Sequence, residues 1–188
     1  MWTAQKNTRG IYPVELWSTF EYLHGIFFYL HLSPKISKNL VGVAGEYYVC
    51  AELCRRGILA LVTPKNNPLY DIVAADPHGN KSVSIQVKTM SLQNKQGWRL
   101  NKDICVKREN PNLFVVLVKL NDDGTNDYYI YEHDILAERI TCLYADYLNI
   151  PKRDGSQRRE VEFRWFDLKY FTDDDHSRRN KWRLLGFS

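Results

Sequence analysis

The chain has 188 residues, 44% hydrophobic and 13% aromatic, enough to bury one sizeable core. A charged fraction of 26% excludes the composition of a disordered chain, and a net charge of +4 permits a polyanionic partner without requiring one. No run of about 20 apolar residues occurs, which excludes a membrane-spanning helix.

Residues 1–34 differ from the rest. They carry the aromatic residues Trp2, Trp17, Phe20, Tyr22, Phe27, Phe28 and Tyr29 without a clean period. The stretch 14–32 admits two readings, one amphipathic helix or a poorly ordered extension. Glu15 and Glu21 interrupt its apolar character and no small-residue cleavage site follows, so export is not expected and the protein is read as cytoplasmic. The domain reading is an N-terminal extension over 1–34 and one globular domain over 35–188.

A helix is expected from a cap at Ser33-Pro34 or Ser37 to Arg56, ahead of Gly57. Leu40, Val43, Ala44, Tyr47, Cys50, Ala51 and Cys54 recur at helical spacing as its buried stripe, with Glu46 on the flank. Gly42 and Gly45 are costly inside a helix and imply a close approach by another element. The cysteines Cys50, Cys54, Cys105 and Cys142 read as buried small hydrophobes; their spacing lacks the ligands of a zinc knuckle, and no disulfide is expected.

The β-branched run 58–63 predicts a strand, and 64–68 (Pro-Lys-Asn-Asn-Pro) a loop. Strands over 71–75 and 82–89 flank the turn-rich 76–80 and should form a hairpin. The nearly continuous apolar run 113–120 predicts a central strand covered on both faces. A further strand is expected over 127–131 and a helix over 134–147. From Pro151 onward ten Lys or Arg stand against seven Asp or Glu, but Trp165, Phe166, Tyr170, Phe171, Trp182 and Leu184-Leu185 supply apolar anchors. This tail is expected to dock on the same domain. The order implies an α/β (α+β) fold with a central mixed β-sheet flanked by helices.

Strand periodicity locates the chemistry. Along 82–89, Val83, Ile85 and Val87 share one face, and Ser84, Gln86 and Lys88 the other. The second face sets an amide oxygen and an ammonium two positions apart. Asp71 opens the partner strand, so its carboxylate can converge on Gln86; Glu46 can reach the same place if its helix crosses the sheet. Two carboxylates, an amide oxygen and a lysine suit a hard cation such as Mg²⁺, which prefers oxygen ligands and retains water. Such an ion lowers the pKa of bound water and stabilises charge on a phosphate, while a lysine beside it orients water or offsets the developing charge.

Gly45-Glu46 on a helix, Tyr70-Asp71-Ile72 opening a strand, and Ile85-Gln86-Val87-Lys88-Thr89 on the next resemble the PD-(D/E)XK nuclease superfamily. More narrowly, they are similar to the branch in which glutamine replaces the second acid, as in some group I intron homing endonucleases. The resemblance extends over 37–188, with Trp98, the run 112–116, the run 128–130 and Trp182 in corresponding places. It implies a restriction-endonuclease-like core, Asp71 and Gln86 as ligands to Mg²⁺ or Mn²⁺ helped by the Val87 carbonyl, Glu46 as a further ligand or water-holder, and Lys88 as the catalytic lysine. Tyr70 stands where the family has proline, and Gln86 leaves the site one negative charge short.

Three functions follow as expectations. The first is an endonuclease cutting DNA through metal-activated water, acting as a homodimer if it cuts both strands. The second is a non-catalytic nuclease-fold module that binds nucleic acid or a protein, and the third a restriction or defence subunit whose partner supplies specificity. Lys95, Arg99, Lys102, Lys107 and Arg108 follow the hairpin and are expected to track a phosphate backbone. Trp98 and Trp182 are read as core, and the five histidines have no metal-ligand spacing.

Overall fold

The computed structural model describes residues 36–64 and 67–187. The expectations for 1–34, and residues 65–66 of the proline-bounded loop, lie outside them.

The first helix, α1, spans Lys38–Cys54. Ser37 caps it, its hydroxyl accepting from the Leu40 N–H at 3.2 Å, so of the two caps expected this one is used. At the other end Gly57 takes φ 77°, and the Gly57 and Ile58 N–H groups reach back to the Cys54 and Leu53 carbonyls. That pair of bonds is the Schellman arrangement, which needs a left-handed residue at its hinge.

The buried face of α1 is not the one expected. Val41, Gly45, Val49 and Leu53 face inward, whereas Leu40 and Tyr47 are 62% and 64% exposed, and Ala51 and Cys54 are also exposed. Apolar residues lie on both sides of this helix, and one inward position is a glycine, so side-chain bulk points to the wrong side. The cysteine reading falls with it: Cys54 and Cys142 are exposed, Cys50 and Cys105 half-buried, and all four are free thiols.

Gly45 does mark a close approach. A Cβ there would collide with Thr89 Oγ1, so the helix lies almost on the strand below. Gly42 has nothing within 4 Å of such a Cβ, and the same expectation fails for it. Gly45→Ala is expected to destabilise the fold by about 1–3 kcal/mol through overpacking. Urea denaturation checks this: the midpoint should drop and largely recover in Gly45→Ala/Thr89→Ala, and an unshifted midpoint would remove the contact from the account.

Five strands form one mixed sheet: β1 (Leu59–Val62), β2 (Ile72–Ala75), β3 (Ser82–Met90), then, after a separate strand described below, β5 (Leu113–Lys119) and β6 (Asp127–Glu132). The order is β1-β2-β3-β5-β6, with β3 and β5 parallel and every other neighbour antiparallel. The expected hairpin is β2–β3, with Gly79 at φ 73° in its turn. Leu113 to Val118 are all buried, as a doubly covered central strand requires.

The sheet separates two cores. On one face Val83, Ile85 and Val87 pack with Phe114, Val116 and Ile130 against Val49 and Leu53 of α1. On the other, Val115, Leu117, Tyr129 and Tyr131 pack with Leu136 and Ile140 of α2 (His133–Asn149). The fold is therefore mixed α+β, a central five-stranded sheet flanked by helices.

Two elements were not anticipated. β4 (Gly97–Asn101) and β7 (Phe163–Asp167) form a separate antiparallel pair that closes the second core with Trp98, Leu100 and Phe166. The tail docks as expected. Beyond β7 come α3 (Asp173–Ser177) and a 3₁₀ turn at Trp182–Leu185, whose Trp182 and Leu185 enter the first core. Trp98 is core too: it is 2% exposed and its Nε1–H donates to the Val118 carbonyl at 3.1 Å.

Candidate active site

β2 and β3 part company at one point, and the candidate residues gather there. Their pairing runs from Ala75↔Ser82 to Ile72↔Ile85, whereas β3 continues to Met90 with a strand neighbour only on its β5 side. Asp71 immediately precedes Ile72. Its N–H donates to the Ile85 carbonyl at 2.9 Å, and its own carbonyl accepts from the Thr63 N–H at 2.8 Å. The Asp71 carboxylate then takes over where the backbone ladder stops: Oδ2 accepts from the Val87 N–H at 2.7 Å. The bend at Pro68 and Leu69 takes the chain off the sheet and leaves that donor to the side chain.

Across from it, β3 obeys the two-residue period. Val83, Ile85 and Val87 are buried under α1, and Gln86 and Lys88 lie half-buried on the opposite face. Lys88 has a pKa below the ordinary lysine value because burial penalises its charged form; the carboxylates of Asp71 and Glu46 act the other way. Lys88 thus lies in the field of two acids in a partly dry environment. Glu46 is half-buried one position after Gly45, so the Gly45–Thr89 contact sets where it enters. Glu46 also influences Cys50 one turn on, whose thiol is pushed up to about 11 by burial first, then by Cys54 and Glu46.

The structure therefore brings Asp71 against the β3 segment that carries Gln86 and Lys88, with Glu46 in electrostatic range of Lys88. At Val87 it is the N–H that meets the Asp71 carboxylate. Among the described residues no three His, Cys, Asp or Glu side chains cluster as a metal cage. The donors offered here are instead two carboxylates, an amide and backbone oxygen. That all-oxygen set fits a hydrated Mg²⁺ or Mn²⁺, which needs only one or two carboxylates. Asp71, Gln86 and Glu46, helped by the Val87 carbonyl, are the residues that would hold it.

The basic cluster after the hairpin is less available than its sequence suggests. Lys102 pairs with Glu162 at 2.9 Å and Lys107 with Glu138 at 3.1 Å. Arg99 lies over the Phe163 ring at 4.1 Å. Cations already matched by acids release few counterions on binding a polyanion, so two of the five expected phosphate contacts are weakened.

No family model and no curated protein matches this chain. Among solved structures it is similar to a bacterial homing endonuclease, I-Ssp6803I, with 17% identity and a TM-score of 0.48, over 80% of this chain and 93% of that one. The functional reading rests on the site's own residues.

Sequence reasoning missed two groups of consequence. Thr89 Oγ1 is buried without a hydrogen-bond partner beneath Gly45; the glycine was the only signal. Asp175, 1% exposed, accepts from Tyr131, Arg139 and Thr172 and fixes the tail to α2. Its sequence signal, Thr172 three residues before an acid, is that of a capping box.

Proposed function

We propose that this protein is a metal-dependent endonuclease of the PD-(D/E)XK type, with Gln86 in place of the second acid, hydrolysing phosphodiester bonds in DNA. The observation that carries the reading is the convergence at the β2–β3 fork. Asp71 is tied to the Val87 N–H, and Lys88, one residue on along the same strand, is partly desolvated in the field of Asp71 and Glu46.

In this reading a bound Mg²⁺ supplies an activated water and stabilises charge on the scissile phosphate. The chain's own groups do the rest. The Val87 N–H binds one oxygen of the Asp71 carboxylate and so fixes its orientation. Burial opposes the charge on Lys88 and its two acids favour it; as a cation Lys88 neutralises the developing charge on phosphate oxygen, an interaction that strengthens as water is excluded. Glu46 holds or orients the attacking water. Gln86 contributes a neutral oxygen, which lowers the site's charge and weakens its hold on the ion.

That missing charge favours one second reading, a nuclease-fold module that binds without cutting. Titration with Mn²⁺, followed by electron paramagnetic resonance, separates the two. The nuclease reading expects a bound ion in the wild type and at least about 10-fold weaker binding in Asp71→Ala, as for other perturbed metal sites. No binding, or equal binding by both, would leave the module reading in its place.

A further inference from the structure

Asp71 is gripped from both sides. Its N–H donates to the Ile85 carbonyl of β3 at 2.9 Å, and its carbonyl accepts from the Thr63 N–H, just past β1, at 2.8 Å. In a regular strand the N–H and carbonyl of one residue face the same neighbour. At Asp71 they face opposite neighbours, so its α-carbon is pinned across the fork before its carboxylate reaches the Val87 N–H. The chain bends at Pro68 and Leu69 immediately before, and no regular ladder steadies it there.

Thr63 makes more than that one bond. Its hydroxyl lies 3.1 Å from the Tyr70 carbonyl and 3.2 Å from the Asp71 carbonyl, a three-centre donation to two consecutive peptide groups. Thr63 is the one polar side chain of the run 58–63. Valine would suit the end of a strand as well, so the strand alone does not call for a hydroxyl. Pro64, next in the chain, has no N–H to donate, and the Thr63 side chain supplies a donor where the backbone at 64 cannot.

We propose that Thr63 is a positioning residue of the candidate metal site: its hydroxyl locks the Tyr70 and Asp71 peptide groups and so holds the Asp71 carboxylate toward the cation. The inference rests on the metal-site reading of the fork and extends it to the end of β1. Thr63 itself touches neither cation nor phosphate. It acts through Asp71, as the outer partners of metal ligands do: they fix the ligand's orientation, and their loss weakens metal binding about 10- to 100-fold. A carboxylate on a loosened backbone keeps its charge but points away from the ion part of the time. The loss therefore falls on affinity while the charge of the site is unchanged.

The test compares Mn²⁺ affinity, by electron paramagnetic resonance, in wild type, Thr63→Val, Thr63→Ser and Thr141→Val, each held well below its own melting temperature. Thr63→Val keeps the shape and the backbone N–H but removes the hydroxyl, and should bind Mn²⁺ about 10-fold more weakly. Thr63→Ser keeps the donor and should bind as wild type does. Thr141→Val removes a hydroxyl that donates to the Ala137 carbonyl within α2 at 2.7 Å, and should leave Mn²⁺ affinity unchanged whatever it does to stability. If Thr63→Val does not fold, Thr63→Ala removes the same hydroxyl with less bulk beside the two carbonyls and is read in its place.

A Thr63→Val protein whose only change is a lower melting temperature would overturn the inference, as would a Thr63→Ser as weak as Thr63→Val, or a wild type that binds no Mn²⁺. Nicking of supercoiled plasmid with Mn²⁺, followed alongside, bears on the nuclease reading alone. If wild type binds the ion without cutting and Thr63→Val binds it more weakly, the nuclease reading falls and Thr63 keeps its role.

Discussion

Asp71→Asn should lower metal-dependent nicking of supercoiled DNA by roughly 10²–10³-fold, the range seen when one preorganised electrostatic group is removed from an active site. The substitution isolates charge from structure. An amide oxygen can still accept from the Val87 N–H, which now meets Asp71 Oδ2 at 2.7 Å, so the strand fork should keep its shape. What disappears is one of the two carboxylates acting on Lys88, and with Gln86 already neutral the site retains only Glu46 as an anion. Asp71→Ala would remove the acceptor as well and leave a backbone donor unmet, costing about 1–3 kcal/mol. Kinetics and thermal melts on both variants check this. Asp71→Asn should match wild type in stability but not in activity, and full activity in Asp71→Asn would remove this carboxylate from the mechanism.

The second large effect is on stability. Asp175→Ala should cost about 3 kcal/mol near neutral pH, the low end for breaking a buried ion pair, because Arg139 is a quarter exposed. Asp175 accepts from the Tyr131 hydroxyl at 2.9 Å and from Arg139 NH2 at 3.0 Å. Burial alone would raise its pKa, but the bonds from Thr172, Arg139 and Tyr131 outweigh that and hold it below the ordinary aspartate value. The Tyr131 phenol moves the other way, raised by burial and then by Asp175. A depressed folded-state pKa contributes stability that is present above the unfolded carboxyl pKa of about 3.9 and is lost as pH falls through the folded value. The gap between wild type and Asp175→Ala in urea should therefore be widest at neutral pH and shrink below about pH 4. A gap that stays constant from neutral to acid pH would mean that the carboxylate's charge is not what anchors the tail.

The pieces that were legible in the sequence were those fixed by local period. Strand alternation put Gln86 and Lys88 on one face because a strand allows only two faces, and the turn residues at 76–80 forced β2 and β3 to pair. The central strand announced itself because only a doubly covered strand can be apolar without interruption. The buried face of α1 was not legible: Leu40 and Tyr47 carry bulk on the outside while Gly45 carries none on the inside, so hydrophobicity pointed away from the packing. Nor was the β4–β7 pair, since each strand is only five residues long and the two lie far apart in the chain. At the site, Asp71 and Lys88 were visible as types at a spacing. That Asp71 takes the place of a backbone acceptor for Val87 depends on where the ladder ends, which no single stretch of sequence records. The acids that pair with the basic run 95–108 were out of view for a related reason, because Glu138 and Glu162, partners of Lys107 and Lys102, come from distant segments.

The central claim is that the β2–β3 fork is a hydrolytic centre with Lys88 as its cation. The most direct measurement is nicking of supercoiled plasmid in Mg²⁺ or Mn²⁺ by wild type and by Lys88→Ala prepared in parallel, with EDTA as the blank. Wild type should convert supercoiled to open-circular DNA only with metal, and Lys88→Ala should be slower by at least about 10²-fold, the scale expected for loss of a charge-stabilising group. Equal rates for the two proteins, or a wild type that leaves the plasmid intact at every metal concentration, would contradict it.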